Sequence, residues 1–389
     1  MTASTTPALS PDRLVCARSR SIDASGIRSV WQLSVTMKDP INLSIGQPDF
    51  GVPEEICQSA IESIRHHHNG YSLTTGVPSV QDSLWEFLGQ DVGWARGDVH
   101  GAMVTSGTSG ALLLAAFALA GPGDEIIYPD PYFILYPQLA RLTGATAVPC
   151  GTYPDFRMTA ERLERCITPR TKMVILVSPS NPCGTVLNGA ELQDIVDLCR
   201  AKGVAVVSDE IYDVFTFSDV REEGRCPSAA RLWDEVLLIR GFGKSYGATG
   251  WRLGYAAGPK WLIDEMAKMQ QYTFVCAPTP LQHAIPTMLR HDMGEIVRRF
   301  ESRRDLVVEA FEGVTSVPRP GGAFYAFVEV PAHLGISATE FATRAVEKNT
   351  LIIPGKVFSE RDTHFRLSFA APDHKLAEGL AALRSLMVR

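Results

Sequence analysis

The sequence predicts an α/β protein of two lobes: a large doubly wound lobe with a mostly parallel sheet, and a smaller α+β lobe. Three observations predict it. From about residue 100, short apolar runs alternate with longer helical patterns. Two of the runs, KMVILV at 172–177 and VAVVS at 204–208, are almost continuously apolar, as strands are when helices cover both faces of a parallel sheet. After about residue 280 the pattern changes to a long charged helical stretch followed by alternating aromatic runs. A chain of 389 residues also exceeds what one core usually serves. Residues 1–45 are assigned to an arm and part of the small lobe, 46–280 to the large lobe, and 281–389 to the small C-terminal lobe. There is no internal repeat and no low-complexity linker.

Taken in order, residues 103–105 read as a strand that feeds a helix over about 108–120. Residues 125–128 read as the next strand, followed by a helix over about 132–142. KMVILV and VAVVS come next, and the runs at 236–239 and 253–257 continue the series. In the second lobe a helix is expected over about 295–312, then the run 323–329 and a helix near 339–348. A short run at 351–353, a strand at 365–369 and a terminal helix follow. Doubly wound sheets bind ligands at the carboxyl ends of their strands. The functional residues are therefore expected just after each run.

Composition narrows the function. The chain is 45% hydrophobic and 21% charged, ordinary for a globular protein. Its 37 basic and 43 acidic residues give a net charge of −6, which offers no case for nucleic acid or an anionic membrane. No apolar segment is long enough for a membrane span, and the start has no hydrophobic stretch after its charges, so a cytoplasmic location is expected. The eight cysteines contain no C-x-x-C pair and read as reduced thiols. His66-His67-His68 lies between a helical pattern and Asn69-Gly70, where it reads as a solvated helix end, and no metal is expected.

The strand ends carry the chemistry. The first run is followed by Ser106-Gly-Thr-Ser-Gly110, small residues whose backbone N–H groups at a helix start suit a phosphate, unless they form only a capped turn. KMVILV leads to Ser178-Pro-Ser-Asn-Pro-Cys-Gly184, where two prolines hold the amide of Asn181. VAVVS leads to Asp209-Glu-Ile-Tyr212; a carboxylate ending an apolar strand needs either a cation or a capping role. Residues 236–239 lead to Gly241-Phe-Gly-Lys244-Ser, with Arg252 eight residues later. The tripeptide GKS invites a nucleotide-loop reading, but that motif needs a glycine where Leu238 stands. A buried lysine instead has a lowered pKa and acts as an amine nucleophile. An amine, a carboxylate, an amide, a phenol and an anion cradle together match what pyridoxal phosphate requires.

The ordered motifs resemble those of the class I/II aminotransferases, the fold-type-I pyridoxal-phosphate enzymes of the aspartate aminotransferase superfamily. They are LSIGQPDF (43–50), YSLTTGVPSV (71–80), SGTSGAL (106–112), PGDEIIYPDPYF (122–133), SPSNPCGTV (178–186), SDEIY (208–212), GFGKSYGATGWRLGY (241–255), GGAFY (321–325) and FRLSFA (365–370). The resemblance implies a cofactor, pyridoxal 5'-phosphate, and a role for each matching residue. Lys244 is the Schiff-base amine and proton shuttle, Asp209 the partner of the ring nitrogen, and Asn181 and Tyr212 partners of the phenolic oxygen. Phe133 stacks on the ring face. Gly107, Thr108, Ser109 and Arg252 hold the phosphate, with Tyr71 reaching in from a neighbouring subunit of a homodimer with shared active sites. Arg366 grips the substrate α-carboxylate, aided by Asn181 and the backbone near Gly46. Strand alternation supports the arginine independently, since His364, Arg366 and Ser368 share one face and a guanidinium suits a carboxylate.

The reaction so implied is ping-pong transfer of an amino group from an amino acid to a 2-oxo acid. Residues 21–34, Phe133, Tyr325 and Val357-Phe358 are expected to line the side-chain pocket, whose uncharged character favours neutral or aromatic substrates. A β-eliminating lyase, or another amino-acid-modifying enzyme on the same cofactor, is the alternative, and a non-catalytic binder is a third. Three departures from the family pattern stand out. Gly241 and Gly243 replace small or hydroxyl residues, so that the phosphate either loses one hydroxyl contact or is bound there through backbone or water. Cys183 replaces a threonine, as a packing change or a reactive thiol. Ser109 stands where some aspartate-specific relatives have lysine.

Overall fold

The computed structural model describes residues 10–23 and 26–388. Its twelve strands are β1 Ile41–Asn42, β2 His100–Ser106, β3 Glu125–Asp130, β4 Thr146–Gly151, β5 Thr171–Val177, β6 Ala205–Asp209, β7 Leu237–Gly241, β8 Leu253–Pro259, β9 Tyr325–Glu329, β10 Thr350–Leu351, β11 Ile353–Pro354 and β12 His364–Ser368. Seven of them form one sheet in the order β2-β8-β7-β6-β5-β3-β4. Pairing is parallel from β7 to β4, and β8 runs antiparallel to both neighbours. The apolar run of β8 is as continuous as the others because it reports coverage on both faces, not direction.

Both faces of this sheet are buried. Along β7, Leu238 packs into one core with Val206 and Val174, while Leu237 and Ile239 pack into a second with Val207 and Ile175. After its first turn the helix Gly107–Leu119 is built from Gly, Ala, Leu and one Phe and is buried on nearly all sides, as a helix apolar all round must be. It starts where β2 ends. The helix Gly189–Lys202 opens with Asn188 and Glu191 capping each other and ends at the left-handed Gly203, the start and stop signals that proximity of polar caps predicts.

Smaller sheets complete the molecule. β1 pairs in parallel with β10, and β11, β12 and β9 form an antiparallel sheet. The apolar run at 351–353 is thus split between two sheets. The helix expected from 132 begins at Leu135, and β4 was not anticipated because its residues, TAVPCG, are mostly exposed or half-buried and carry a proline. His66 caps the helix Glu54–Arg65 and all three histidines of the tract are exposed. Among the described residues no helix is long and apolar enough to cross a membrane.

One close approach fixes the first turn of the helix Gly107–Leu119 against β8. A Cβ on Gly254 would lie 2.8 Å from the carbonyl carbon of Gly107 and 2.9 Å from the nitrogen of Thr108. Gly254→Ala should therefore lower stability by about 1–3 kcal/mol, seen as a fall in melting temperature. Gly250→Ala, with nothing within 4 Å of its Cβ, should leave the melting temperature nearly unchanged.

Candidate active site

The carboxyl ends of β5, β6 and β7, the start of the helix Gly107–Leu119 and Arg366 of β12 enclose a cavity of about 270 Å³. Its walls include Gly46, Gly107, Thr108, Ser109, Phe133, Asn181, Asp209, Tyr212, Lys244, Arg252 and Arg366. All of these were singled out in the sequence. Tyr71 is the exception: its side chain does not line the cavity of its own chain and is 87% exposed.

Lys244 lies on the short helix Phe242–Ser245 that follows β7, and its Nζ donates to the carbonyl of Gly46. Burial, and then the charges of Arg366 and Arg252, hold its amine down to about 8. A substantial neutral fraction therefore exists near neutrality, which an amine nucleophile requires. Asp209 ends β6, the strand beside β7. Its Oδ2 accepts from the Tyr136 hydroxyl at 2.9 Å and its Oδ1 from the Ile211 backbone at 3.3 Å. Burial pushes its carboxyl up to about 6 against those hydrogen bonds. Among the described residues no lysine, arginine or histidine pairs with it, so it is not a helix cap alone but a carboxylate facing the cavity.

Arg366 is almost wholly buried. It donates from Nη1 to Asn181 Oδ1 at 3.0 Å and from Nη2 to the Ser44 carbonyl at 2.8 Å. Its Nε has no partner among the described residues. The guanidinium lies between the rings of Tyr325 and Phe358, 4.5 and 4.7 Å from their centroids. Tyr325 hydroxyl is 3.1 Å from that of Tyr212, and burial raises both phenols above their ordinary range. A buried cation held only by neutral dipoles and ring faces is a site for an anion.

The phosphate cradle is legible in the glycines. Gly107 has φ +67°, and a Cβ there would meet Arg252 Nη2 at 2.6 Å. Ser106 is the N-cap residue but makes no side-chain cap, so the first N–H groups of the helix stay available to an anion. The plain capped turn is thereby excluded. Arg252 itself adopts the left-handed conformation at φ 55° and donates to the Thr249 carbonyl at 3.1 Å. Thr249 also lines the cavity. The glycine at 241 has a packing cause: its Cβ would meet Ile211 Cδ1 at 2.7 Å and Thr108 Cγ2 at 2.8 Å. Thr108 and Ile211 fill the space of a larger residue there. At Gly243 the nearest atom to a Cβ is Thr249 Cα at 3.3 Å, a tight but lesser constraint.

Other expectations are corrected. Cys183 is buried with Phe156, Phe327, Ile353 and Phe358, outside the cavity, and burial drives its thiol well up; it is a packing residue. Phe358 is fully buried beneath Arg366 and does not line the cavity. Val357 instead borders an adjoining cavity shared with Ser109 and Phe133. Of residues 21–34, Ile27 lines the site, and Ala24 and Ser25 lie outside the described residues. Tyr136 and the Ser44 carbonyl were not anticipated: Tyr136 lies just beyond the motif 122–133 and Ser44 inside LSIGQPDF, but only the fold brings them to Asp209 and Arg366.

The donor set fits pyridoxal phosphate: an amine, a carboxylate, an amide and a phenol surround a ring-sized space, with an anion cradle at one end. Comparison with known proteins agrees. Residues 38–383 match the family model for aminotransferase class I and II. An aspartate aminotransferase of Pyrococcus abyssi is 30% identical over 94% of this chain and 96% of its own. An aromatic-amino-acid aminotransferase of Thermococcus litoralis is 29% identical over 95% and 97%. The solved aspartate aminotransferase of Thermus thermophilus with maleate superposes with a TM-score of 0.89 at 29% identity, covering 96% of this chain and 99% of that one. The chain thus belongs to the class I and II aminotransferases and is a pyridoxal-phosphate-dependent transaminase of fold type I.

Proposed function

We propose that the enzyme moves an amino group from a neutral or aromatic amino acid to a 2-oxo acid by a ping-pong mechanism, in the cytoplasm, as a homodimer. We assign residues 46–280 to its cofactor lobe, 281–389 to the smaller lobe, and 1–45 to an arm and part of that smaller lobe. The observation that carries the reading is the convergence of Lys244, Asp209 and Arg366 on one cavity with no ion pair among them. Pyridoxal phosphate, when bound, supplies an aldehyde that reacts with amines and a ring that accepts the electron pair left at Cα.

The chain supplies the rest. Arg252 and the first turn at Gly107, Thr108 and Ser109 hold the phosphate, and Phe133 covers one ring face. Asp209, kept in place by Tyr136, holds a proton on the ring nitrogen. Asn181 and Tyr212 hydrogen-bond the phenolic oxygen. Arg366 fixes the α-carboxylate, with its unpartnered Nε and the Asn181 amide nearby, so that the Cα–H bond points toward Lys244. The Lys244 amine would then be placed to take up the Cα proton and to give it back. Alignment of this kind removes much of the entropic part of the barrier.

The substrate preference follows from what is left over. The charged side chains of the cavity are Lys244, Asp209, Arg252 and Arg366, and each already has a role. Ile27, Phe133 and Tyr325 remain for the side chain, with no spare cation for a second carboxylate among the described cavity residues. The dimer accounts for Tyr71. Tyr71, Leu73 and Tyr272 are 87%, 63% and 86% exposed, and Gln270 donates to the Thr74 carbonyl at 2.6 Å, tying the two segments together. Apolar surface of this kind suits a second copy, whose cavity Tyr71 would enter.

A panel of amino acids against several 2-oxo acids, with product masses, tests the reaction. Equal amounts of new 2-oxo acid and new amino acid are expected; ammonia without a new amino acid would contradict it. Arg366→Lys should raise KM for the amino acid by about tenfold or more, since a single ammonium cannot reproduce the fork. Asp209→Asn tests the electrostatics. An acid whose folded pKa of about 6 lies above its unfolded 3.8 costs nothing below pH 3.8 and its full penalty above pH 6. In the cofactor-free protein the asparagine should therefore raise stability at pH 8 by on the order of 1–3 kcal/mol. That gain should shrink as pH falls toward 4, while affinity for the cofactor drops.

A further inference from the structure

A second set of buried charges sits behind the cavity wall and takes no part in the chemistry above. Strand alternation separates the two sets. Asp209 lies on the sheet face with Ile239 and Tyr136, whereas Ser208, Arg240 and Tyr255 lie on the face with Leu238. Arg240 is buried in β7, four residues before Lys244. Its Nε and Nη2 donate to Glu210 Oε2 at 3.0 and 2.8 Å, its Nη1 donates to Asp91 Oδ2 at 2.6 Å, and its Nε lies 3.4 Å from Asp213 Oδ2. Glu210 also accepts from the Ser208 and Ser228 hydroxyls at 2.9 and 2.7 Å. Asp91 has a second cation, Arg231, at 2.6 Å, with Arg225 at 4.0 Å. Among the described residues Glu210 and Asp213 have no ion-pair partner other than Arg240.

The placement of these two acids gives the cluster its meaning. Glu210 directly follows Asp209, and Asp213 directly follows Tyr212. We propose that Arg240 is a positioning residue for the transamination: by neutralising Glu210 and Asp213 it sets the charge environment and the position of Asp209 and Tyr212, and through them the protonation of the bound cofactor. This rests on the roles given to Asp209 and Lys244 above. Asp209 otherwise faces only Tyr136, Tyr212 and Glu210, and Lys244 faces Arg252 and Arg366. Arg240 faces Glu210, Asp213, Asp91 and Tyr255, with Cys226 beside the cluster. Without the guanidinium, the buried Glu210 and the half-buried Asp213 stand without a cation, each next in sequence to a residue of the cavity wall. Their charge favours protons on every basic group nearby. The guanidinium fork matters as well as its charge, since it bridges Glu210 and Asp213, after β6, to Asp91 of a distant helix.

The test compares the wild-type holoenzyme with Arg240→Gln, Arg240→Lys, Glu210→Gln and the double variant Arg240→Gln/Glu210→Gln. Two quantities are read: the pH midpoint of the bound cofactor's visible absorbance, and the dissociation constant for pyridoxal phosphate added to the cofactor-free protein. Arg240→Gln should raise the midpoint by about half a unit or more and weaken cofactor binding about tenfold. Adding Glu210→Gln should return the midpoint at least halfway, and Arg240→Lys should lie between wild type and Arg240→Gln. Should Arg240→Gln fail to fold, Glu210→Gln alone reads the same coupling and should move the midpoint down. A lower melting temperature with an unmoved midpoint, or a midpoint that Glu210→Gln leaves unrestored, overturns the proposal. Wild-type protein that binds no pyridoxal phosphate would instead overturn the reading it rests on.

Discussion

Three charged side chains, the buried Asp209 and Arg366 and the half-buried Lys244, surround one cavity, and among the described residues each is held by neutral partners only. Arg366 donates to an amide and a carbonyl, Lys244 to a carbonyl, and Asp209 accepts from a phenol and a backbone N–H. Burial of unpaired charge is costly, and here the cost is visible as a lowered lysine and a raised aspartate. Had the three neutralised one another, the chain would be more stable and the cavity inert. The sheet prevents that by placing Asp209 and Lys244 at the ends of neighbouring strands and bringing Arg366 from β12. The arrangement fits a ligand that carries an aldehyde, a protonated ring nitrogen and an anion, as pyridoxal phosphate does.

The opposite face of the same strands is organised the other way. There Arg240 is matched by Glu210, Asp91 and Asp213, and the acids are matched by arginines and hydroxyls. Matched charge on one face ties the strand ends together, and unmatched charge on the other is left for a ligand. Alternation along a strand lets consecutive residues, Asp209 and Glu210, serve the two purposes side by side. The glycines at 107, 241 and 254 complete the frame by letting the helix start, β7 and β8 approach within contact distance of one another and of Arg252.

Much of this was legible in the sequence because it is local. Continuous apolar runs report burial on both faces, and the residues that end them sit where a doubly wound sheet places its ligand. Strand direction was not legible, as β8 shows, nor was the edge strand β4, whose exposed and proline-bearing residues carry no apolar signal. The missed site features are contacts across long separations. Tyr136 reaches Asp209 over 73 residues, and the carbonyl of Ser44 reaches Arg366 over 322. Gly241 looked like a lost hydroxyl until Thr108 and Ile211 were found in the space a side chain would need. Cys183, next but one to Asn181, is the packing residue rather than the reactive thiol, and Phe358 was misplaced in the side-chain pocket: both lie in a separate aromatic cluster.

The central claim is that Lys244, not another lysine, carries the cofactor. Borohydride reduction of the holoenzyme followed by mass mapping of its peptides tests it directly. The account predicts a pyridoxyl group on the peptide containing Lys244 and on no other. A label on a different lysine, or none on Lys244 in protein that holds the cofactor, would contradict it.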